Sequence, residues 1–464
     1  MMRRDRWVAL VTLVMLQLFA VAAGAHLLAS DALVEKEARP VASPEPVAVP
    51  VVTAGPVLAA GGNGPLPAKT TLAERLTRAL GDPALGERVG AAVVDAESGE
   101  TLFDGDGDRG ITPASTTKIV TGIAALASLG PDARLSTRVV RGSSPASIIL
   151  VGGGDPTLTA GKIDPSVYPR PASLASLASR TAEALKAGGV TKVTVAYDDG
   201  LYTGRRTAAS WKPGYLPEGQ AAPVTALMVD EGRAAPGSRQ RVSDPSRAAH
   251  AAFVSLLAKH GVKAANRTAK RARAGAGAEE IARVESAPVH ALVERALTLS
   301  DNDLSEALAR HVAIKEGEPA SFDGGAAAVH KVLARLGAAE GIRVYDGSGL
   351  SPKNRIAAAA LARLLALAVS PANPRLHPIV SGMPVAGFTG TLGHRFGESD
   401  SAYGLVRAKT GTLDGVSTLA GLTTTKGGRL VAFAFLADEV PPGWGKAEAA
   451  LDRLAATVAA SAAD

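Results

Sequence analysis

The chain has 464 residues, more than one ordinary domain needs, so two or more folded units with ample buried core are expected. It contains no cysteine, which excludes disulfides, zinc–thiolate sites and a cysteine nucleophile. The formal charge of +6 permits attraction to anionic polymers, but the tightest basic cluster (Lys263, Arg267, Lys270, Arg271, Arg273) has no aromatic residue to stack on bases, so it reads as a solvated face and no nucleic-acid partner is expected.

Arg3, Arg4 and Arg6 precede an apolar run over 7–25 that closes on Ala23-Gly24-Ala25, the pattern of an export signal. The run is long for a cleaved signal and just long enough to span a bilayer, so residues 1–28 read as a signal peptide or a membrane anchor. Either leaves the remainder outside the cytoplasm, in the cell envelope, with membrane contact only through this segment. Seven prolines between 39 and 68, with the Gly61-Gly62-Asn63-Gly64 run, make 29–69 an extended Pro-rich linker.

Thr71 predicts an N-cap for a helix over 72–80. A strand over 89–96 and a return strand from 101 form a hairpin, which feeds a helix beginning at Ser115 and running to about 129. Between 135 and 286 short strands (147–151, 190–197) and helices (174–186, 247–260) mix, which reads as an inserted α/β domain or pair of subdomains. The main body is then 70–134 together with 287–464. A helical pattern resumes at 289 and runs through Ser300-Asp301-Asn302 to 312, with further helices near 325–336 and 355–369. The last part is strand-rich, over 405–411, 416–424 and 430–436, before an amphipathic helix over 446–460. Helices in the middle and an antiparallel sheet assembled from both chain ends make the class α+β.

Three short motifs stand on these elements: Ser115-x-x-Lys118, Ser300-Asp301-Asn302 and Lys409-Thr410-Gly411. On a helix, residues three apart share a face, so the Ser115 hydroxyl and the Lys118 amine would touch. A serine hydroxyl needs a neighbouring base to become a nucleophile, and an unperturbed lysine, pKa about 10.4, is neutral in only roughly one molecule in 2500 at pH 7. Taken singly, each motif is equally a helix start, a loop cluster or the polar end of a strand. Together, each occurring once, in this order and on these elements, they point to one site. The eight histidines are scattered with no metal-binding spacing, and Gly152-Gly153-Gly154-Asp155-Pro156 lacks the lysine of a phosphate loop, so no metal and no cofactor are expected. The Asp346-Gly347-Ser348-Gly349 stretch is not a Gly-x-Ser-x-Gly elbow and reads as a loop near the cleft.

The three motifs in this order resemble the penicillin-binding protein and serine β-lactamase superfamily. The long interval between Ser115 and Ser300 is similar to that of the D-alanyl-D-alanine carboxypeptidase/endopeptidase family, the type-4 low-molecular-mass class, whose members carry inserted domains there. Val151–Leu158, Pro223–Leu227, Tyr345–Ser351 and Pro384–Gly387 agree with it. Thr389-Gly390-Thr391-Leu392 departs from the family's Asp-Gly-Thr-Leu, and Asp230-Glu231-Gly232 ends where an Asn is common.

The resemblance implies a transpeptidase-like fold, an antiparallel sheet flanked by helices plus a helical lobe, that cleaves between two D-alanines of peptidoglycan stem peptides and is acylated by β-lactams. Ser115 would be the nucleophile, Lys118 the base, depressed by burial and by the nearby cation Lys409, and Ser300 a proton relay. Asn302 would hold Lys118 and the substrate's peptide group. Lys409 and Thr410 would bind the terminal carboxylate, and Gly411 would let the substrate backbone lie on the strand edge. The N–H groups of Ser115 and Thr412 would form the oxyanion hole. The rival readings are a class A-like β-lactamase, disfavoured because none of Glu306, Glu316, Glu318, Glu340 and Glu398 has an Asn four residues on, and a non-catalytic wall-binding scaffold, which need not keep Ser115, Lys118, Ser300 and Lys409.

Overall fold

The computed structural model describes residues 15, 17, 64–266, 268–397, 401–443 and 445–463. The export segment and linker expected at 1–28 and 29–69 lie outside the described residues, apart from Met15, Gln17 and 64–69. Among the described residues no helix is long and apolar enough to cross a membrane.

Helix α1 (Lys69–Leu80) is followed by strands β1 (Arg88–Asp95), β2 (Thr101–Gly105) and β3 (Gly110–Ile111), then by helix α2 (Thr117–Leu129). Next come β4 (Ser136–Arg141), β5 (Ser147–Val151), α3 (Leu174–Ala187), β6 (Lys192–Asp198), α4 (Pro245–Lys259), β7 (Lys263–Ala264), β8 (Lys270–Arg271) and β9 (Glu280–Glu285). Helices α5 (Val289–Thr298), α6 (Asn302–Glu316) and α7 (Phe322–Arg335) follow, then β10 (Ile342–Arg343), β11 (Arg355–Ala357), α8 (Ala358–Val369) and the short α9 (Pro378–Gly382). The chain closes with β12 (Arg407–Leu413), β13 (Val416–Thr424), β14 (Leu430–Asp438) and α10 (Lys446–Ala459).

The central sheet has the order β12-β13-β14-β1-β2 and is antiparallel throughout. Its inner strands read as unbroken apolar runs because both faces are covered, and period-two geometry sends alternate side chains to opposite sides. In β1, Ala92 and Val94 enter the core shared with α2, α5, α6 and α8, whereas Ala91 and Val93 face the core made with α1 and α10. β14 does the same, with Ala432, Ala434 and Leu436 on one side and Phe433 and Phe435 on the other. A second sheet, β7-β6-β5-β4-β9 with β8 also on β6, takes all its strands from between 136 and 285. It mixes antiparallel pairs (β4 with β5 and β9) and parallel ones (β6 with β5, β7 and β8), and α3 and α4 pack on its own core. The architecture is α+β, as the order of elements implied.

Two local expectations change. The first helix begins at Lys69, with Ala68 rather than Thr71 at its N-cap. The helical pattern over 289–312 is two helices, not one. α5 stops at Thr298, Ser300 takes a left-handed backbone (φ 57°), and α6 restarts at Asn302 with the Asp301 carboxylate accepting from Leu304 N at 3.0 Å. An Asp in that position is a strong N-cap, and the cap defeats the periodicity.

Candidate active site

Ser115 lies in a tight 3-10 turn, Ala114–Thr116, immediately ahead of α2 rather than in its first regular turn. The turn is pinned through the Pro113 carbonyl, which accepts from Thr116 N (3.2 Å), Thr116 Oγ1 (2.7 Å) and Thr418 Oγ1 on β13 (2.9 Å). Ala114, fully buried, is held at φ 48°, a backbone state that costs a non-glycine residue about 1–3 kcal/mol and persists only where the surroundings impose it.

One turn on, the Lys118 amine is buried and meets three oxygens: Ser115 Oγ at 3.0 Å, Asn302 Oδ1 at 2.7 Å and the Ser348 carbonyl at 2.6 Å. Ser300 Oγ is not among them. Asn302 is itself oriented, because its Nδ2 donates to the Gln220 carbonyl at 2.8 Å, so Oδ1 must face Lys118. One of the two N–H groups on that amide nitrogen is thereby given to Gln220.

Burial lowers the Lys118 pKa to about 8, against the opposing pull of the Asp346, Asp301, Glu306 and Asp303 carboxylates. The expected influence of Lys409 shows on the other partner. Lys409 is driven well below its ordinary value by burial first, then by the charges of Lys118 and Arg395. The two amines thus share one electrostatic neighbourhood, and desolvation is the largest cause of the shift at Lys118.

The residues on either side of Asn302 are braced as well. Asp303 Oδ1 accepts from Ala222 N at 2.8 Å and its other oxygen lies 3.2 Å from Arg241, while Arg295 pairs with both Asp301 and Glu231. Glu231, Asp301 and Asp303 offer oxygens close enough together for a cation, but Arg233, Arg241 and Arg295 already meet those charges. Burial and the Glu231 charge push Asp301 up to about 7, and burial pushes Asp303 up to about 8.

β12 is the edge strand of the central sheet, and its third residue, Lys409, is fully buried and donates to the Thr410 carbonyl at 2.8 Å. Thr410 Oγ1 donates to Thr391 Oγ1 at 2.7 Å, so the Thr389–Leu392 departure sits at the site. Ala408 N donates outward, to Pro384 O at 2.9 Å, and strand alternation turns the N–H groups of Thr410 and Thr412 to the same free edge. Gly411 has a structural reason besides the one expected. A Cβ there would lie 2.2 Å from Thr418 Oγ1, 2.7 Å from Pro113 O and 3.0 Å from Ser115 N. The missing side chain lets β12 press against the serine turn.

Sequence reading missed Ser348, which acts through its backbone carbonyl, and undervalued Glu306, Asp346 and Gln220. The repeated small residues of Asp346-Gly347-Ser348-Gly349 were the one available signal.

A family model described as the D-Ala-D-Ala carboxypeptidase 3 (S13) family matches residues 72–240 and 235–458. The chain belongs to the S13 family. A carboxypeptidase of Mycobacterium tuberculosis is 36% identical over 391 residues, covering 81% of this chain and 82% of that protein. Carboxypeptidase DacB of Mycolicibacterium smegmatis is 35% identical over 402 residues, 85% of each chain. With this kinship the S13 chain is a D-Ala-D-Ala carboxypeptidase. Penicillin-binding protein 4 of Haemophilus influenzae shares the S13 chain's fold, with a TM-score of 0.69 at 22% identity over 82% of this chain and 97% of that one, and a second crystal structure of it contains a β-lactam.

Proposed function

We propose that the protein is an exported serine carboxypeptidase that removes the terminal D-alanine of peptidoglycan stem peptides through an acyl-enzyme on Ser115, and that β-lactams acylate the same hydroxyl. The observation that carries this reading is the tripod around Lys118. A neutral amine has two N–H groups and one lone pair. Asn302 Oδ1 and the Ser348 carbonyl can only accept, so they consume both N–H groups. The lone pair is left facing Ser115 Oγ at 3.0 Å, where it can take the hydroxyl proton.

Ser115 Oγ then attacks the carbonyl between the two D-alanines, and the oxyanion sits between the N–H groups of Ser115 and Thr412. The C–N bond breaks as the departing amine takes a proton from the Lys118 side, with Ser300 the hydroxyl that the family resemblance assigns to relay it. Water cleaves the ester and returns the proton to Ser115. Lys409, with Thr410 beside it, receives the terminal carboxylate, whose charge restores the ammonium that burial disfavours.

Full-length protein incubated with a fluorescent penicillin should label, and Ser115→Ala should not. An unlabelled wild type, or equal labelling of the two, would overturn the reading. Cross-linked and uncross-linked muropeptides, assayed for released D-alanine and for cut cross-links, divide carboxypeptidase from endopeptidase action. Export is tested by N-terminal sequencing of protein recovered from the cell envelope, which should begin near residue 26 or retain Met1 in a membrane fraction.

A further inference from the structure

We infer that the Asp346–Gly349 loop is a fourth element of the catalytic site, in which the Ser348 carbonyl orients the Lys118 amine and the buried Glu306 is the positioning residue that holds that carbonyl in place. The inference rests on the reading of Lys118 as the base.

Geometry carries it. The Ser348 carbonyl accepts from Lys118 at 2.6 Å, and the N–H of the same peptide unit, on Gly349, donates to Asp346 Oδ1 at 3.0 Å. A peptide whose N–H is bound by a carboxylate has a more polarised carbonyl, a better acceptor. The two preceding N–H groups, of Gly347 and Ser348, both converge on Glu306 Oε1, at 3.0 and 2.9 Å. Glu306 Oε2 pairs with Arg310 at 3.2 Å, both side chains only 1% exposed. α2 grips the loop twice, through Lys118 and, one turn on, through Thr121 Oγ1 to the Gly347 carbonyl at 2.7 Å.

The loop also touches the nucleophile's turn. Gly349 is at φ 88°, and a Cβ there would stand 1.9 Å from the Ala114 carbonyl. A Glu–Arg pair that only braced a helix would not spend a carboxylate oxygen on two successive loop amides next to the base. Ser348 thus supplies one of the two acceptors that aim the lone pair at Ser115, and Glu306 fixes it.

The groups facing Lys118 are Asp346 from the loop, Asp301, Asp303 and Glu306 around α6, and Lys409 from β12, with Arg310 behind Glu306. Removing the Glu306 charge takes away an anion that favours the Lys118 ammonium and leaves Arg310 uncompensated. Both effects favour the neutral amine at lower pH.

The test is stopped-flow acylation of the full chain by a fluorescent penicillin between pH 6 and 10, for wild type, Glu306→Gln and Glu306→Leu. Glu306→Gln keeps an oxygen for the two amides, so its acid limb should move to lower pH. Glu306→Leu loses that oxygen, and its plateau acylation rate should fall tenfold or more with prior non-covalent binding unchanged. A bracing role alone would lower the melting temperature while folded protein acylated at the wild-type rate with the wild-type pH profile, and that result overturns the inference. If Glu306→Leu does not fold, an unshifted acid limb in Glu306→Gln overturns it. Wild type that fails to label sinks the proposed function first. Labelled wild type with unaffected variants sinks this inference alone.

Discussion

Lys118 gathers the physics of the site into one amine. With a pKa of about 8 it is neutral in about one molecule in ten at pH 7, against roughly one in 2500 for an ordinary lysine. The sign follows: the base is the deprotonated form, so acylation should rise through an acid limb near pH 8 and level off above it. A limb below pH 6 would show that another group is the base. Lys409→Met should raise KM for a D-Ala-D-Ala substrate about tenfold or more, the value of one charge-assisted hydrogen bond of roughly 1.5–3 kcal/mol, with a smaller change in kcat. Residue identities made Ser115, Lys118, Asn302 and Lys409 readable from sequence, because their chemistry lies in their side chains. Ser348 was not readable, because a carbonyl is present at every residue and only the backbone path selects the one that faces Lys118. The dominance of desolvation over charge at Lys118 and Lys409 was also hidden, since it depends on how deeply each amine is buried.

At the scale of elements, the site is an edge strand pressed against a turn and capped by a helix start. Gly411→Ala puts a methyl carbon into Thr418 Oγ1 and the Pro113 carbonyl, so β12 must move away from the serine turn. The variant should lose about 1–3 kcal/mol of stability and at least tenfold in penicillin acylation, and normal acylation would refute the close approach as the reason for glycine. The start of α6 makes a second prediction. Asp301 is pushed up to about 7, so the folded protein holds that proton more tightly than the unfolded chain, whose carboxyl titrates near 4. Its contribution is present at low pH and lost as pH rises from about 4 to about 7. Asp301→Asn caps α6 comparably and has no such proton, so the fall in melting temperature between pH 5 and pH 8 should be shallower than in wild type. The strands over 147–151 and 416–424 and the helix to Leu129 followed from apolar pattern and turn residues alone. The break at Ser300 did not, because a capping carboxylate and one left-handed residue interrupt a helix without disturbing its apolar spacing.

At the scale of the molecule, the central sheet joins β1 and β2 from the start of the described body to β12, β13 and β14 from its end, with everything else hung between. Residues from between the second sheet's strands reach into the site, because Gln220 holds Asn302, Ala222 holds Asp303 and Trp211 Nε1 donates to Asp346 at 2.8 Å. A chain ending at residue 400 lacks β12 to β14 and α10, which strips β1 of its β14 partner and opens the core under Phe433 and Phe435. It should show no cooperative unfolding and no penicillin labelling, and labelling of such a fragment would contradict the closure described here.

The same closure sets a timetable. Ser115 and Lys118 are among the earlier parts of the folded body to be synthesised, but Lys409 and Gly411 arrive with the strands that complete the sheet. A ribosome-bound chain therefore carries the serine without the strand that frames it. A D-Ala-D-Ala carboxypeptidase built this way stays inactive until its last strands are in hand.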